Sequence, residues 1–224
     1  MTPPGRHALI LADGAAPEPA ALDRAWPGWD EGIDLVIAAD GGARQAPGLG
    51  RRIDLWVGDG DSLGSAGVEA LRAAGVPVRL SPVDKDESDT ELAVVAAGAA
   101  GASRVTILGA LGGTRIDHGL ANVWLLAHAA LIDRRACLLD DRSRIRLLAS
   151  GRHDLGGRIG DLVSLFPFGG GADGLTTGGL RYPLADEPLR SGSTRGLSNV
   201  RTAPDASLSV GTGLVLVVEI AATL

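Results

Sequence analysis

The sequence predicts an α/β protein in which an N-terminal open, mostly parallel sheet with helices on both faces is followed by a small C-terminal antiparallel β domain. Three observations carry this. Up to about residue 149, short β-type runs alternate with stretches that can be helical, the pattern of βαβ units. Several of these runs are apolar on both faces, as expected of strands covered by helices from either side. From Ser150 onward the runs are punctuated by Gly, Pro, Asp and Ser, with no helical period. Two domains follow, 1–149 and 150–224.

The N-terminal strands are read at HALILA (7–12), IDLVIAA (33–39), DLWVG (54–58), VPVRL (76–80), RVTILG (104–109) and ACLLD (136–140). Helices are expected over Gly64 to Ala74, Ser88 to Ala100 and Asp117 to Leu131. Ser88 and Glu91 form an S-x-x-E capping box at the second of these. In the C-terminal half, LVSLFPF (162–168), GLTTGGL (174–180), ASLSV (206–210) and LVLVVEI (214–220) read as strands, with FGGGADG (168–174) as a hairpin loop. The four tryptophans, Trp26, Trp29, Trp56 and Trp124, are read as packing residues, and Cys137 as a small hydrophobe in its strand.

Composition limits the function. With 224 residues, 45% hydrophobic and 21% charged, the chain can bury a sizeable core. The formal charge is -6 and no basic cluster stands out, which argues against nucleic-acid or anionic-membrane partners. No stretch reaches the ~20 apolar residues that span a bilayer, and the opening MTPPGRHALILADG has too short an apolar run for a signal peptide, so a cytoplasmic location is expected. A single cysteine excludes an intrachain disulfide and any thiolate-based metal site. Of the 21 basic residues only Lys85 is a lysine.

The acidic residues fall in a pattern. Asp40 follows IDLVIAA, Asp59 and Asp61 follow DLWVG, Asp84, Asp86 and Asp89 follow VPVRL, and Asp117 follows RVTILG after a glycine-rich loop. In an open α/β sheet ligands bind at the carboxyl ends of the strands, so these carboxylates can converge on one crevice. Convergent carboxylates repel unless a cation sits among them. With neither clustered cysteines nor paired histidines nearby, the cation implied is hard and oxygen-loving, and Mg²⁺, which commonly bridges nucleotide phosphates, is the expected one. The loop Gly109 to Arg115 can bring backbone N–H groups and one guanidinium to phosphate, although it is not a Walker A loop. Each residue also has a structural reading: Asp89 as a first-turn aspartate, Asp117 as an N-cap, Asp40 as a turn residue, His118 as a capping or packing residue. The Gly58-Asp59-Gly60-Asp61 loop resists such a reading, because it places two charges where one turn aspartate would serve.

Six stretches, AADGGA around 39–43, VGDGDS (57–62), DKDESDTELA (84–93), LGALGGTRIDH (108–118), GLRYPL (179–184) and RGLSN (195–199), resemble in order and spacing the motifs of thiamine pyrophosphokinases, also called thiamine diphosphokinases. The resemblance implies a homodimer with an N-terminal α/β nucleotide- and metal-binding catalytic domain and a C-terminal antiparallel β-sandwich for thiamine binding and dimerisation, converting thiamine and ATP to thiamine diphosphate and AMP with Mg²⁺. It makes Asp59, Asp61 and Asp89 the metal-binding and catalytic carboxylates, and sets Asp40, Gly41, Lys85, Gly112, Gly113 and Arg115 against the nucleotide. Asp117, His118, Ser198 and Asn199 then belong to the thiamine side. Gly60 stands where the family usually carries a bulky apolar residue, and Thr114 is an extra residue before Arg115. Two alternatives are a pyrophosphokinase acting on a hydroxymethyl pterin and a non-catalytic nucleotide-binding sensor.

Overall fold

The computed structural model describes residues 5–222, which form two compact units that divide between Asp141 and Arg142. The sequence pattern predicts the boundary eight residues later, at 149/150. Strand β7 (Ser143–Leu148) accounts for the difference: it pairs antiparallel with the last strand of the chain and so belongs to the second unit.

In the first unit, strands β1 (Arg6–Leu11), β2 (Ile33–Ala39), β3 (Leu55–Gly58), β4 (Val78–Leu80), β5 (Ala102–Leu108) and β6 (Arg135–Leu139) lie in the order β4-β3-β2-β1-β5-β6. Every neighbouring pair among them is parallel. The chain proceeds outward from β1 to β4 and then returns to the other side of β1, so the order reverses beside β1, and in open sheets of this kind ligands bind at the strand carboxyl ends near such a reversal. The central strands are buried along almost their whole length, as Leu9, Ile10, Ile37, Val57, Val105 and Ile107 show. Helix α3 (Asp89–Ala99) packs on β2, β3 and β5 through the small residues Ala93, Val94, Ala96 and Ala97, which let its backbone approach the sheet. Helices α1 (Pro19–Ala25), absent from the sequence reading, and α2 (Ser65–Ala73) complete this part of the unit.

The predicted helix from Asp117 to Leu131 is two elements. Helix α4 (Ile116–Leu125) tightens at its end, with Ala127 N–H donating to Trp124 O and His128 N–H to Leu125 O. His128 then turns extended and accepts Ala130 N–H on Nδ1, starting a 3₁₀ turn over Ala129–Leu131. Trp124, read as a packing residue, is 62% exposed in line with Ile116 and Leu120 on the same face of α4.

The second unit adds β8 (Gly151–Asp154), β9 (Leu162–Gly178), β10 (Glu187–Leu189), β11 (Asn199–Val200), β12 (Ser207–Val210) and β13 (Thr212–Ile220), paired antiparallel. The expected hairpin loop at 168–174 is instead the middle of β9. Its first part pairs with β13 and β11 and its last part with β10 and β12. Gly169 and Gly174 adopt φ of +76° and +68°, which let one strand bend from one sheet into the other without breaking. Leu155, Val163, Leu165, Leu175, Leu208, Val215 and Val217 fill the core of this unit.

Inside that core lies a charge network. Arg201 is fully buried, and its guanidinium donates to Asp161 at 2.9 Å, Glu219 at 2.8 Å and the Leu155 carbonyl at 2.8 Å. Glu219 also accepts from Arg144 at 2.8 Å and from Arg146 at 3.1 Å, and Asp161 accepts the Ala222 amide at 2.8 Å. Each buried charge is paired, so removing one strands the others in a low dielectric. Replacing Arg201 by Ala is expected to cost the fold about 3–5 kcal/mol, read as a lowered unfolding midpoint in urea. A midpoint unchanged from wild type would contradict this.

Candidate active site: carboxylates gathered at the strand ends

The site is assembled where β2, β3 and β4 end. Directly after β2, Asp40 opens a 3₁₀ turn with φ of +39°, a left-handed backbone costly for an aspartate. Three partners from the DLWVGDGDSL stretch hold it there. Trp56, fully buried, donates Nε1–H to the Asp40 carbonyl at 3.0 Å, and the amides of Ser62 and Leu63 donate to the Asp40 carboxylate at 2.9 and 3.1 Å. Gly58 allows the approach, since a Cβ there would meet Asp40 Cβ at 2.9 Å. Gly60 has φ of +83°, a conformation in which a bulky side chain would be strained. The loop is therefore a clamp on Asp40 as well as a carrier of Asp59.

Asp59 accepts the Asp61 amide on Oδ1 at 3.0 Å and Lys85 Nζ on Oδ2 at 2.7 Å. Asp89, the first residue of α3, is set by the Ser88 cap, whose Oγ accepts Glu91 N–H at 3.2 Å. Its Oδ1 lies 3.1 Å from Lys85 Nζ yet is buried without a well-directed hydrogen bond. Asp40, Asp59 and Asp89 each bring a carboxylate oxygen within 4.8 Å of the others'. Asp61, expected among the metal ligands, is exposed and stands outside this group of three, while Asp40, expected at the nucleotide edge, is inside it.

Electrostatics record the crowding. Burial raises the pKa of Asp40 against the pull of the Ser62 and Leu63 amides, and the neighbouring Asp61 and Asp89 raise it further. Burial likewise raises Asp89, with Lys85 opposing. Asp59 is lowered, chiefly by its hydrogen bond to Lys85. Burial pulls Lys85 down, but its two carboxylate partners outweigh that and raise it.

The loops beside β1 pack backbone against backbone. Gly14 N–H donates to Gly109 O at 2.7 Å and Ala15 N–H to Leu111 O at 3.2 Å. Gly112 and Gly113 adopt φ of +72° and +82°, and a Cβ on Gly112 would strike Ala15 Cβ at 2.8 Å. A Cβ on Gly41 would strike the Asp13 carboxylate at 2.3 Å. Asp13, 3.6 Å from the Arg44 guanidinium, went unnoticed in the sequence, although Ala12-Asp13-Gly14 after β1 repeats Ala39-Asp40-Gly41 after β2. Gln45, donating to Ala12 O, and Asn122, donating to Ala110 O at 2.8 Å, were also missed, because tethers between loops leave no local pattern.

Arg115 is engaged by Asp117 through Nε at 2.9 Å and Nη2 at 2.5 Å, both residues exposed. That pair pulls the Asp117 carboxyl well below its ordinary range. The N-cap of α4 is Arg115, not Asp117, and His118 is exposed on its first turn. In the second unit Ser198 is exposed with φ of +57°, whereas Asn199 is buried. Asn199 Oδ1 accepts Tyr182 N–H at 2.9 Å and Nδ2 donates to Tyr182 O at 2.6 Å, so both ends of its amide fix the backbone of the GLRYPL stretch.

Residues 29–138 match the family model described as "Thiamin pyrophosphokinase, catalytic domain", and residues 152–215 match "Thiamin pyrophosphokinase, vitamin B1 binding domain". The chain belongs to the thiamine pyrophosphokinase family. A thiamine pyrophosphokinase of Bacillus subtilis (strain 168) is 26% identical over 163 residues, 72% of this chain and 76% of that protein. Thiamine pyrophosphokinase 2 of Oryza sativa subsp. japonica is 37% identical over 100 residues, 43% of this chain and 36% of that protein. Among solved structures, thiamine pyrophosphokinase from Bacillus subtilis superposes with a TM-score of 0.81 at 24% identity, covering 97% of this chain and 100% of that one. The yeast thiamin pyrophosphokinase superposes with a TM-score of 0.76 at 14% identity, covering 96% and 86%. At such identities the superpositions speak for the fold.

The three carboxylates lie in the stretch matched to the family's catalytic domain. Their donors are all oxygen, and Asp89 keeps a buried oxygen with an unused lone pair, a set that fits a hard divalent cation. Asp40→Ala is expected to cost the metal-free fold about 2–4 kcal/mol, since two amides lose a charged acceptor, and Asp40→Asn less. Urea denaturation decides it; equal stability of both variants with wild type would contradict the clamp.

Proposed function

We propose that the protein transfers the pyrophosphoryl group of ATP to the hydroxyethyl oxygen of thiamine, giving thiamine diphosphate and AMP. The observation that carries this reading is the convergence of Asp40, Asp59 and Asp89 within the part of the chain matched to the family's catalytic domain. The match of 152–215 to the vitamin B1 binding domain favours thiamine over a hydroxymethyl pterin.

Asp40, Asp59 and Asp89 would hold Mg²⁺, with Asp61 on the rim beside them. When bound, Mg²⁺ supplies charge neutralisation for the phosphate oxygens. The chain's own residues do the rest. Gly41, Gly112 and Gly113 let backbone come close to the nucleotide, and Lys85 and Arg115 face its phosphates. Asp117 and His118 are the first unit's residues for thiamine; in the second unit Ser198 is exposed and Asn199 acts through the Tyr182 backbone that it holds. The hydroxyl oxygen attacks the β-phosphorus, its proton passes to an aspartate, and the bond from that phosphorus to the AMP oxygen breaks. Positioning supplies most of the rate. The carboxylate field also suits the cationic thiazolium ring.

We further propose a homodimer, supported by the exposed apolar line Ile116, Leu120 and Trp124 on α4. A cytoplasmic location is in keeping with the lack, among the described residues, of a helix long and apolar enough to cross a membrane.

Purified protein with thiamine, ATP and Mg²⁺ is expected to yield thiamine diphosphate and AMP in equal amounts, separated chromatographically. Thiamine monophosphate with ADP would overturn the proposal. Asp59→Asn is expected to lose about a hundredfold or more of this activity while remaining folded. Near-normal turnover would make Asp59 structural.

The carboxylates also generate a pH dependence. Groups with raised pKa, Asp40 and Asp89, weaken the metal-free fold as pH rises from the ordinary 3.8 through their own values; Asp59, lowered, contributes stability above 3.8 and loses it as pH falls below. Protons and metal then compete for the raised pair. The thermal stabilisation by millimolar Mg²⁺ is expected to be large at neutral pH and to shrink on acidification. A pH-independent increment measured by calorimetry would contradict this.

A further inference from the structure

We propose that Lys85 is a built-in counter-ion that competes with the divalent metal: its ammonium holds Asp59 and Asp89 together in the metal-free chain and leaves them when the metal binds. The inference rests on the reading of the carboxylate cluster as a metal site and adds to it a residue whose position depends on occupancy.

Geometry is the first argument. Lys85 Nζ lies 2.7 Å from Asp59 Oδ2 and 3.1 Å from Asp89 Oδ1, bridging two of the three clustered carboxylates. A divalent ion drawing oxygens from the same two carboxylates would lie in nearly the same place, and two cations at such separation repel strongly. Of the two contacts that to Asp89 is the longer, and Oδ1 receives no well-directed hydrogen bond from the ammonium.

The second argument is the tether. Lys85 sits in the segment between β4 and α3, where no residue from Pro82 to Glu87 belongs to a helix or strand. Pro82, Val83, Asp84, Asp86 and Glu87 are exposed, whereas the Lys85 side chain is only 11% exposed. Its ammonium is what this segment places in the cluster. Withdrawing it breaks no helix or sheet hydrogen bond.

Residue type is the third. Every other basic residue of the chain outside the histidines is arginine. A guanidinium would grip a carboxylate with a planar two-pronged fork, whereas an ammonium is a compact charge on a flexible four-carbon stem that can occupy a cation's place and vacate it. Once displaced, the ammonium is available to the phosphates of the nucleotide.

Because Lys85 is the single lysine, its reactivity can be read directly. Metal-free protein and protein in millimolar Mg²⁺, both without nucleotide, are acetylated with an amine-reactive ester, with a lysine-containing peptide in the same tube as reference; peptide mass mapping gives the rate at Lys85. Labelling is expected to rise several-fold with Mg²⁺. In parallel, Mn²⁺ binding to wild type and Lys85→Met is titrated by electron paramagnetic resonance, with the variant expected to bind about tenfold more tightly for loss of a competing charge. Unchanged or slower labelling, or equal Mn²⁺ affinity in the two proteins, overturns the competition while leaving the metal site standing. If neither protein binds Mn²⁺, the metal site falls and this inference with it. The labelling arm uses wild type alone, so it decides the matter even if Lys85→Met does not fold.

Discussion

The structure of the first unit is organised around the mutual repulsion of carboxylates brought to the ends of β2, β3 and α3. Asp40, Asp59 and Asp89 have oxygens within 4.8 Å of one another, an arrangement that water would not favour and that burial makes worse. Much of the local architecture is explained as restraint on that repulsion. Trp56 and the Ser62 and Leu63 amides fix Asp40 in a left-handed turn, the Asp61 amide steadies Asp59, the Ser88 cap sets Asp89, and Lys85 bridges two of the three. The α/β scaffold delivers these groups because parallel strands end on one side, beside the point where strand order reverses.

The second unit handles buried charge differently. Arg201, Asp161 and Glu219 are interior, but each finds partners, with Arg144, Arg146, the Leu155 carbonyl and the Ala222 amide completing the network. Full pairing makes such a network rigid. The first unit leaves three carboxylates facing one ammonium. This contrast separates a network in which every charge is paired from a cluster left with excess negative charge, although both are acidic and basic residues packed close together.

How legible all this is in the sequence depends on the range of the interaction. The six parallel strands are continuous apolar runs, and the placement of carboxylates after them follows from strand order alone, so both were readable from residues such as Ile37, Val57, Asp40 and Asp59. The path of β9 was not, because Gly169 and Gly174 carry the local signature of a turn while antiparallel neighbours on both sides keep the strand intact. Asp40 could not be ranked above Asp61, since the rank comes from amides twenty-two and twenty-three residues away. Asn199 reads as a ligand-facing amide in its motif, and only the fold shows that both of its ends are spent on Tyr182. Trp124 illustrates the reverse error: a large indole suggests a core position, yet it is largely exposed on α4 in line with Ile116 and Leu120.

On this reading Asp40, Asp59 and Asp89 together bind one divalent cation. Crystals of the protein grown with Mn²⁺ in place of Mg²⁺, with anomalous diffraction recorded at the manganese edge, test it most directly. An anomalous peak is expected about 2.2 Å from a carboxylate oxygen of each of these three residues, with the Lys85 ammonium withdrawn from Asp59. A peak held by other residues, or an empty cluster in crystals that bind Mn²⁺ elsewhere, would contradict it.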